Sequence, residues 1–559
     1  MLKSFPGELV PRPIQKEILS EIDSVLGSGY TKIVLCAPTG SGKSPIAVAL
    51  AAKFESSFVV TATKSLQDQY SRDFPMLKPV KGKDNFACPK LMEEDKFDMG
   101  DYPGAIRAGL TCNKGECIEK RVENGKEVER TCRFKPAIAD YEKGPSGTVC
   151  PYYGQKYAAL LAPHSIWNYA SYFQMMKYTR KAYESYLDRK VAVFDEAHRI
   201  EDQIINFVGI TIRASQVEEC GLILGDYELG EIEGVTSLLD DLAGSYAKAI
   251  QEVQEHESRR PNPDYSKLVP LENKYERAAR AKISVYSDGE NFVVNDPQMS
   301  QGEFSSITLT PLDISGYVED LCLSPYQVFM SATISRDPFC ETTGIDPDKV
   351  AFVDVEHSPF SMESRRIEFM DIARLNYSSP PSDEQKVIKA IDGIMKDLHP
   401  GERGLILTSS IKRCYDILAG LSPSSKARVR LCHSTNEGGR TQDQVLAEHA
   451  DTPGSVLLSA SLWEGVDLKD DRSRFQIIAK APYPGLGDKR TKIKQKKYPL
   501  WYSSQALTKL LQGFGRSIRN EDDRAVTYVL DSGVKDLIRR ARRMVPKSYH
   551  DVLKFEHFS

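Results

Sequence analysis

Short, almost unbroken apolar runs, each followed by helical or loop sequence, recur in two regions of the chain. The first region carries Lys32-Ile33-Val34-Leu35-Cys36, Ser57-Phe58-Val59-Val60-Thr61, Val191-Ala192-Val193-Phe194 and Gln327-Val328-Phe329-Met330. The second carries Gly404-Leu405-Ile406-Leu407-Thr408, Ser455-Val456-Leu457-Leu458-Ser459, Phe475-Gln476-Ile477-Ile478-Ala479 and Val526-Thr527-Tyr528-Val529-Leu530. Runs this short and continuous lack the alternation of a half-solvated strand. They read as strands of a parallel sheet covered on both faces. Helical sequence between them, such as Pro45-Ile46-Ala47-Val48-Ala49-Leu50, supplies crossovers. The pattern predicts an α/β chain with two lobes of parallel sheet.

Parallel strands need a crossover of roughly a dozen residues. Yet 132 residues lie between His198 and Ser331, and more than a hundred between Thr61 and Val191. Gaps of that size are inserted domains, not loops. The first gap holds a cluster of cysteines. The second has helical composition, as in Gly244–Val253 and Leu271–Ala278. The expected division is a first lobe at 1–80, 161–205 and 319–350, a cysteine domain at 81–160, a helical domain at 206–318 and a second lobe at 351–559.

A chain of 559 residues exceeds what one core normally holds, which agrees with several domains. Lys+Arg of 74 against Asp+Glu of 78 gives a net charge of −4. Overall charge therefore does not mark a polyanion partner, and any nucleic-acid contact must come from local basic surface. No apolar run approaches roughly 18 residues, so no membrane span is expected. The stretch Met1–Gly7 lacks the apolar core of a signal peptide. Eleven cysteines, an odd number without framework spacing, point to a reducing compartment: cytoplasmic or nucleoid-associated, not secreted. Cys36, Cys220, Cys322, Cys340, Cys414 and Cys432 read as small buried hydrophobes.

The loop Ala37-Pro38-Thr39-Gly40-Ser41-Gly42-Lys43-Ser44 follows the first apolar run and opens a helical stretch. Its closely spaced glycines let the backbone of Thr39 to Gly42 close around phosphate, aided by the helix N-terminus. Lys43 is expected to reach the terminal phosphates and the Ser44 hydroxyl to bind Mg²⁺. Alanine stands where the usual pattern has its first glycine. Asp195-Glu196-Ala197-His198 ends a further strand, where Asp195 supplies a Mg²⁺ ligand and Glu196 an acid that positions or deprotonates attacking water. Near the end of the second lobe, Gln512-Gly513-Phe514-Gly515-Arg516-Ser517-Ile518-Arg519 places Arg516 and Arg519 three apart, expected on one helical face. Such arginines stabilise the charge developing on a transferred phosphoryl group. ATP and Mg²⁺ are the cofactors these residues call for.

The cysteine cluster reads Cys88-x23-Cys112-x4-Cys117-x14-Cys132-x17-Cys150. Thiolate sets of this kind hold Zn²⁺ or an iron–sulfur cluster, or remain free. The lack of a tight Cys-x2-Cys pair speaks against a zinc ribbon, and the compartment against disulfides.

Arg12-Pro13-Ile14-Gln15, the phosphate loop, Asp195-Glu196-Ala197-His198, Ser331-Ala332-Thr333, Glu464-Gly465-Val466-Asp467 and Gln512 to Arg519 stand in the order of superfamily 2 helicase motifs. With cysteines between the loop and the acidic box, the chain resembles the iron–sulfur XPD/DinG helicases over nearly its whole length. The resemblance implies that Gln15 reads adenine and that Ser331-Ala332-Thr333 links hydrolysis to DNA movement. It places Glu464 and Asp467 at the lobe interface near nucleotide and strand, and Asp467 and Gln512 are expected among the nucleotide-binding residues. It also implies 5′-to-3′ travel on single-stranded DNA, a helical arch, a [4Fe–4S] cluster and a hole for the strand between the two. In the family a first ligand follows a Lys-Gly-rich strand end, a last precedes an aromatic pair, and the DinG branch has a Cys-x4-Cys pair between them. That assigns Cys88, Cys112, Cys117 and Cys150, leaving Cys132 as the spare or as an alternative fourth ligand. Asp531-Ser532-Gly533 departs from the family, where many relatives carry an arginine after the acidic residue.

Lys489-Arg490-Thr491-Lys492-Ile493-Lys494-Gln495-Lys496-Lys497 has six basic residues in nine, followed by Tyr498, Trp501 and Tyr502. Basic side chains neutralise phosphates and aromatics stack unpaired bases, so this segment is expected to touch nucleic acid, with Lys494, Lys496 and Lys497 as its test residues. Lys177, Arg180 and Lys181 with Tyr178, Tyr183 and Tyr186 form a second such mixture, and by the family Asn168-Tyr169 lies in a strand-contacting segment. The expected function is an ATP-dependent DNA helicase in DNA repair or related metabolism, a monomeric motor acting on single-stranded and forked or branched DNA. The rival readings are a translocase or remodeller that does not unwind, and a non-motor scaffold.

Overall fold

The computed structural model describes residues 1–559 except 8, 116, 124–125, 145–146, 261–267, 301, 377, 434–438, 521 and 554–559. Its first lobe is a seven-stranded, wholly parallel sheet. The strands stand in the order Val350–Asp354, Lys32–Cys36, Tyr326–Ser331, Val191–Asp195, Ser57–Thr61, His164–Asn168 and Lys78–Val80. Side chains alternate between two covered faces, which is why these strands read as continuous apolar runs. Ile33, Leu35, Val193 and Met330 pack on the phosphate-loop helix Lys43–Lys53 and the N-terminal helix Pro13–Gly27. Val34, Cys36, Phe194 and Phe329 face the other way. On that side the apolar core runs without a break through Tyr153, Tyr157 and Phe134 into Cys88, Cys112, Cys132 and Cys150.

The second lobe is a six-stranded parallel sheet ordered Arg365–Ala373, Ala525–Asp531, Phe475–Ile478, Gly404–Leu407, Val456–Ser459 and Val429–Leu431. Both lobes match the expected α/β architecture. Val350–Asp354 pairs with Lys32–Cys36, register Lys32↔Val350, so the chain leaves the first sheet after this strand and not at residue 350 as expected.

The cysteine segment leaves the first sheet at Lys78–Val80 and returns through helix Pro151–Leu161 to the neighbouring strand His164–Asn168. It contains a two-stranded hairpin, Ile118–Glu123 with Lys126–Thr131. The second insertion is not helical throughout. Its hairpin of helices, Ile232–Ser258 and Leu268–Asp288, stands on an antiparallel sheet of Gln298–Ser300, Glu303–Pro311 and Ile210–Arg213, with Phe292–Val294 also on Glu303–Pro311. Helix Ile232–Ser258 buries Val235, Leu238, Leu239, Leu242 and Tyr246, one stripe at helical spacing. No helix among the described residues is long and apolar enough to cross a membrane. Of the six cysteines outside the cluster, five are buried as expected, while Cys220 is half-exposed.

Candidate functional site

Strand Lys32–Cys36 ends in the phosphate loop, and the loop's shape rests on two glycines. Gly40 and Gly42 have φ of 83° and 77°, the left-handed region that glycine adopts without strain. A Cβ on Gly40 would lie 2.1 Å from the ring of Phe360, which the segment joining the lobes lays against the loop. A Cβ on Gly42 would meet the Gln15 amide at 2.2 Å. Gln15 is buried, and its Nε2 donates to the Gly42 carbonyl at 3.3 Å. Lys43 Nζ donates to the Ala37 carbonyl at 3.3 Å, folding the lysine back over its own loop. The Ser41 hydroxyl is buried without a hydrogen-bond partner among the described residues, as suits a group waiting for a phosphate oxygen.

Two strands away, Asp195 closes Val191–Asp195, fully buried. Burial and the neighbouring Glu196 push its carboxyl up to about 6, against the pull of Lys43 and Tyr70. Tyr70, on the helix Lys64–Asp73, donates to Asp195 Oδ2 at 2.8 Å and also bonds the Ser44 side chain. One hydroxyl thus joins the two side chains expected to ligate Mg²⁺. Sequence reading missed Tyr70, because an aromatic on an amphipathic helix looks like core. Glu196 follows with φ 52° and leaves Oε2 buried without a hydrogen bond among the described residues, 3.4 Å from His198 Nδ1. His198 Nδ1 also meets Ser331 Oγ at 2.8 Å, tying the acidic box to Ser331-Ala332-Thr333.

The second lobe closes the cleft. Gln512 Nε2 donates to Thr333 Oγ1 at 2.9 Å and Thr508 Oγ1 to the Thr333 carbonyl at 3.3 Å, both across the lobe boundary. Glu464 lies 3.9 Å from His198 Nε2 and 3.6 Å from Arg199. Burial opposes its charge, but His198, Arg199 and Arg516 outweigh this and hold the carboxyl down at about 2. Arg516 is buried, bonding Val466 O at 2.9 Å and Gln512 Oε1 at 3.1 Å. Burial and Arg519 lower its pKa to about 10. Arg519 also donates to Val466 O, at 3.2 Å, and pairs with Asp467 at 3.3 Å. The expected helical face is not there: the helix Pro499–Phe514 ends before either arginine. The two guanidinium groups meet instead by converging on one carbonyl. Next to them an open cleft has Pro38, Thr39 and Phe360 on one side and Phe514, Gly515 and Ile518 on the other.

Asp531 is a structural clasp. Its carboxylate accepts from the backbone N–H groups of Leu375, Ala481 and Gly533 at 2.8–3.1 Å, which gives the departing Asp-Ser-Gly a role independent of nucleotide.

All five clustered cysteines line one small pocket, with Phe134, Tyr153, Lys90 and Lys135. They are free thiols, and the Cys112 and Cys150 sulfurs lie 3.6 Å apart. Cys88 and Cys150 each immediately precede a proline that opens a helix, Pro89–Glu94 and Pro151–Leu161. The neighbouring Cys112 thiol pulls these two thiols down, Cys88 to about 6 and Cys150 to about 7. Burial opposes the shift and the backbone N–H groups of the first helical turn assist it. Gly115 makes room, since a Cβ there would sit 2.4 Å from the Cys88 sulfur. No group of three His, Cys, Asp or Glu side chains among the described residues is placed to hold a single metal ion. Five cysteine sulfurs around one pocket, with lysines and aromatics between them, are the donor type that thiolate-held groups use. Cys132 lines the same cavity as the other four, so its assignment as the spare has no geometric support.

The expected nucleic-acid residues are only partly available. Lys489–Lys497 is a helix that buries Arg490 and Lys494, and Trp501 is buried after it. Lys492, Lys496 and Lys497 remain exposed. Tyr502 bonds the Pro484 carbonyl and stacks on Tyr483. Tyr169 is fully buried between Phe173 and Phe194 and bonds the Asp195 carbonyl, so it cannot touch a strand; Asn168 caps the helix Tyr169–Gln174. Lys177 pairs with Asp320, and Tyr178 lies under Arg280, while Arg180 and Lys181 stay exposed.

Two RecA-like lobes that bring a phosphate loop, an acidic box and a pair of arginines to one cleft have the arrangement of a nucleotide-driven motor. The family profile described as a helicase C-terminal domain matches residues 396–551, and that of the type III restriction enzyme res subunit matches 8–220. The ATP-dependent DNA helicase YoaA of Escherichia coli (strain K12) is 23% identical, with 95% of this chain and 93% of that protein aligned. Its namesake in Haemophilus influenzae is 22% identical over 93% of this chain and 91% of its own. Among solved structures, an XPD helicase superposes with a TM-score of 0.58 at 16% identity, covering 96% of this chain and 98% of that one. Xpd4 of S. tokodaii gives 0.52 at 15% identity, covering 95% and 98%. By these matches the chain is similar to ATP-dependent DNA helicases over nearly its whole length and shares its fold with XPD helicases.

Proposed function

We propose that this protein is an ATP- and Mg²⁺-dependent DNA helicase that travels 5′-to-3′ on single-stranded DNA as a monomer and opens forked or branched duplexes in DNA repair or related metabolism. The observation that carries the reading is the bond between Gln512 and Thr333. It joins the arginine-bearing segment of one lobe to the Ser-Ala-Thr segment of the other, itself held to the acidic box by His198 and Ser331. Nucleotide in the cleft would be felt along that chain of contacts. Gln15 would read the base, Thr39 to Ser44 hold phosphates and Lys43 meet the terminal ones. Ser44 and Asp195 would ligate Mg²⁺, Glu196 orient water, and Arg516 and Arg519 meet the charge that develops in transfer. Asp467 and Gln512 would keep the two lobes in register around the nucleotide.

Cys88, Cys112, Cys117 and Cys150 are the proposed ligands of a [4Fe–4S] cluster, with Cys132 an alternative fourth. When bound, such a group would serve as a rigid cross-link of the cysteine domain. Cys88 and Cys150, at two helix starts, are placed to give thiolates, while the neighbouring Cys150 and Cys88 and then burial push the Cys112 thiol up. Protein purified without oxygen and assayed for iron, ATP turnover and strand displacement on forks with 5′ or 3′ tails tests the reading. DNA-stimulated turnover and opening of 5′-tailed forks are expected, both lost in Lys43→Ala. Iron falls sharply in Cys88→Ser and Cys150→Ser; full iron in either variant removes the ligand assignment. Turnover without strand displacement leaves the translocase reading instead.

A further inference from the structure

Glu201 stands in the helix Ile200–Val208, directly behind the acidic box, and is 4% exposed. Its carboxylate accepts from four side chains, all of the second lobe: Arg490 Nη2 and Lys494 Nζ at 2.5 Å, Trp501 Nε1 at 2.7 Å and Gln505 Nε2 at 3.4 Å. Arg490 reaches on to a third part of the chain. Its Nε donates to the Pro311 carbonyl at 2.6 Å and its Nη2 to Leu312 at 3.2 Å, where the strand Glu303–Pro311 brings the helical insertion back to the first lobe. Lys494 and Arg490 both flank the Trp501 ring, 4.5 Å and 5.9 Å from its centroid. Burial opposes the charge on Glu201, but Lys494 and Arg490 outweigh it and hold the carboxyl below its usual range.

Two buried cations on one buried anion are poor value as glue, since apolar side chains of similar volume pack at least as stably in such positions. Their merit is directional: each bond fixes one partner at one angle. The partners here are the helix after the acidic box, the base of the inserted arch, and the start of the helix Pro499–Phe514. That helix is a rod whose other end carries Gln512 and leads into Arg516. Trp501 and Gln512 are about 16 Å apart along it at the usual helical rise. Movement of the arginines toward nucleotide must therefore swing the rod about Glu201, and Arg490 passes the swing to the arch.

We infer that Glu201, with Arg490, Lys494 and Trp501, forms a joint that makes arch position follow lobe closure, so that Glu201 is a positioning residue for strand separation and not for hydrolysis. This rests on the helicase reading above. The test compares wild type with Glu201→Gln, Glu201→Asp and the paired Glu201→Met/Lys494→Met, in the full chain with cofactors intact. DNA-stimulated ATP turnover and base pairs opened per ATP on a 5′-tailed fork are measured together, with thermal midpoints reported for each variant. Expected is turnover within about threefold of wild type and opening per ATP reduced about tenfold in Glu201→Gln, the range of an ordinary coupling energy. The paired variant, which removes the buried anion together with one of its two cations, should show the same loss where its thermal midpoint stays near wild type, and Glu201→Asp should recover part of it. Turnover and opening that fall in proportion, or an unchanged ratio in the folded paired variant, overturn the joint. If wild type hydrolyses ATP but opens no fork, the helicase reading fails by itself. The joint is then judged by displacement of a bound block per ATP on single strands, with the same ratio deciding.

Discussion

Tyr70 shows what a single hydroxyl does at this cleft. It donates to Asp195 and touches Ser44, so it favours the charged form of a carboxylate that burial disfavours. Tyr70→Phe should raise the Mg²⁺ concentration for half-maximal ATP hydrolysis about fivefold, the effect of one hydrogen bond of about 1 kcal/mol. Asp195 itself gives a pH signature. An acid whose folded pKa stands at about 6, where an ordinary aspartate titrates at about 4, keeps its proton in the folded state while the unfolded chain has lost it. Stability is therefore lost as pH rises from about 4 through 6, and above 6 the cost is about 3 kcal/mol. Without nucleotide and Mg²⁺, Asp195→Asn should melt higher than wild type at pH 7, with the gap closing below pH 4, while its ATP turnover is abolished. The phosphate loop and acidic box were legible in sequence because close glycines and a strand-end Asp-Glu have few other uses. Tyr70, Phe360 and Glu201 were not, since their roles depend on partners over a hundred residues away.

At the scale of elements, charge count misleads where geometry decides. The run Lys489–Lys497 looks like a phosphate-binding strip, yet helical spacing turns Arg490 and Lys494 inward and Lys492, Lys496 and Lys497 outward. Charge reversal of the outward three should weaken single-stranded DNA binding and lower the log–log salt slope by about 2, measured by titration at several salt concentrations. Lys494→Glu should instead destabilise the fold, by about 3–5 kcal/mol, because it sets two carboxylates face to face in a buried site. Long apolar strands were visible in the sequence. Lys78–Val80 and Val429–Leu431 are too short to carry a pattern, and Arg365–Ala373 is an edge strand studded with charge. The sheet beneath the inserted helices escaped notice for a related reason: its longest strand, Glu303–Pro311, interleaves four Ser and Thr with its apolar residues and is only half-covered.

Across the whole molecule, the two-lobed plan follows from the sequence because parallel sheets demand buried strands and long crossovers. How the inserted parts attach does not follow, since attachment is written in single contacts. The cysteine domain is not an appendage on a tether. Cys88, Cys112, Cys132 and Cys150 belong to the same apolar core as Phe194 and Phe329, one residue from Asp195 and two from Ser331. Of the five clustered thiols only Cys117 is half-exposed. An oxidant entering by that doorway should thus disable hydrolysis and fork opening at a common rate, with one shared melting event for domain and lobe. Two separate rates, or a second melting event, would show that the damage stays local.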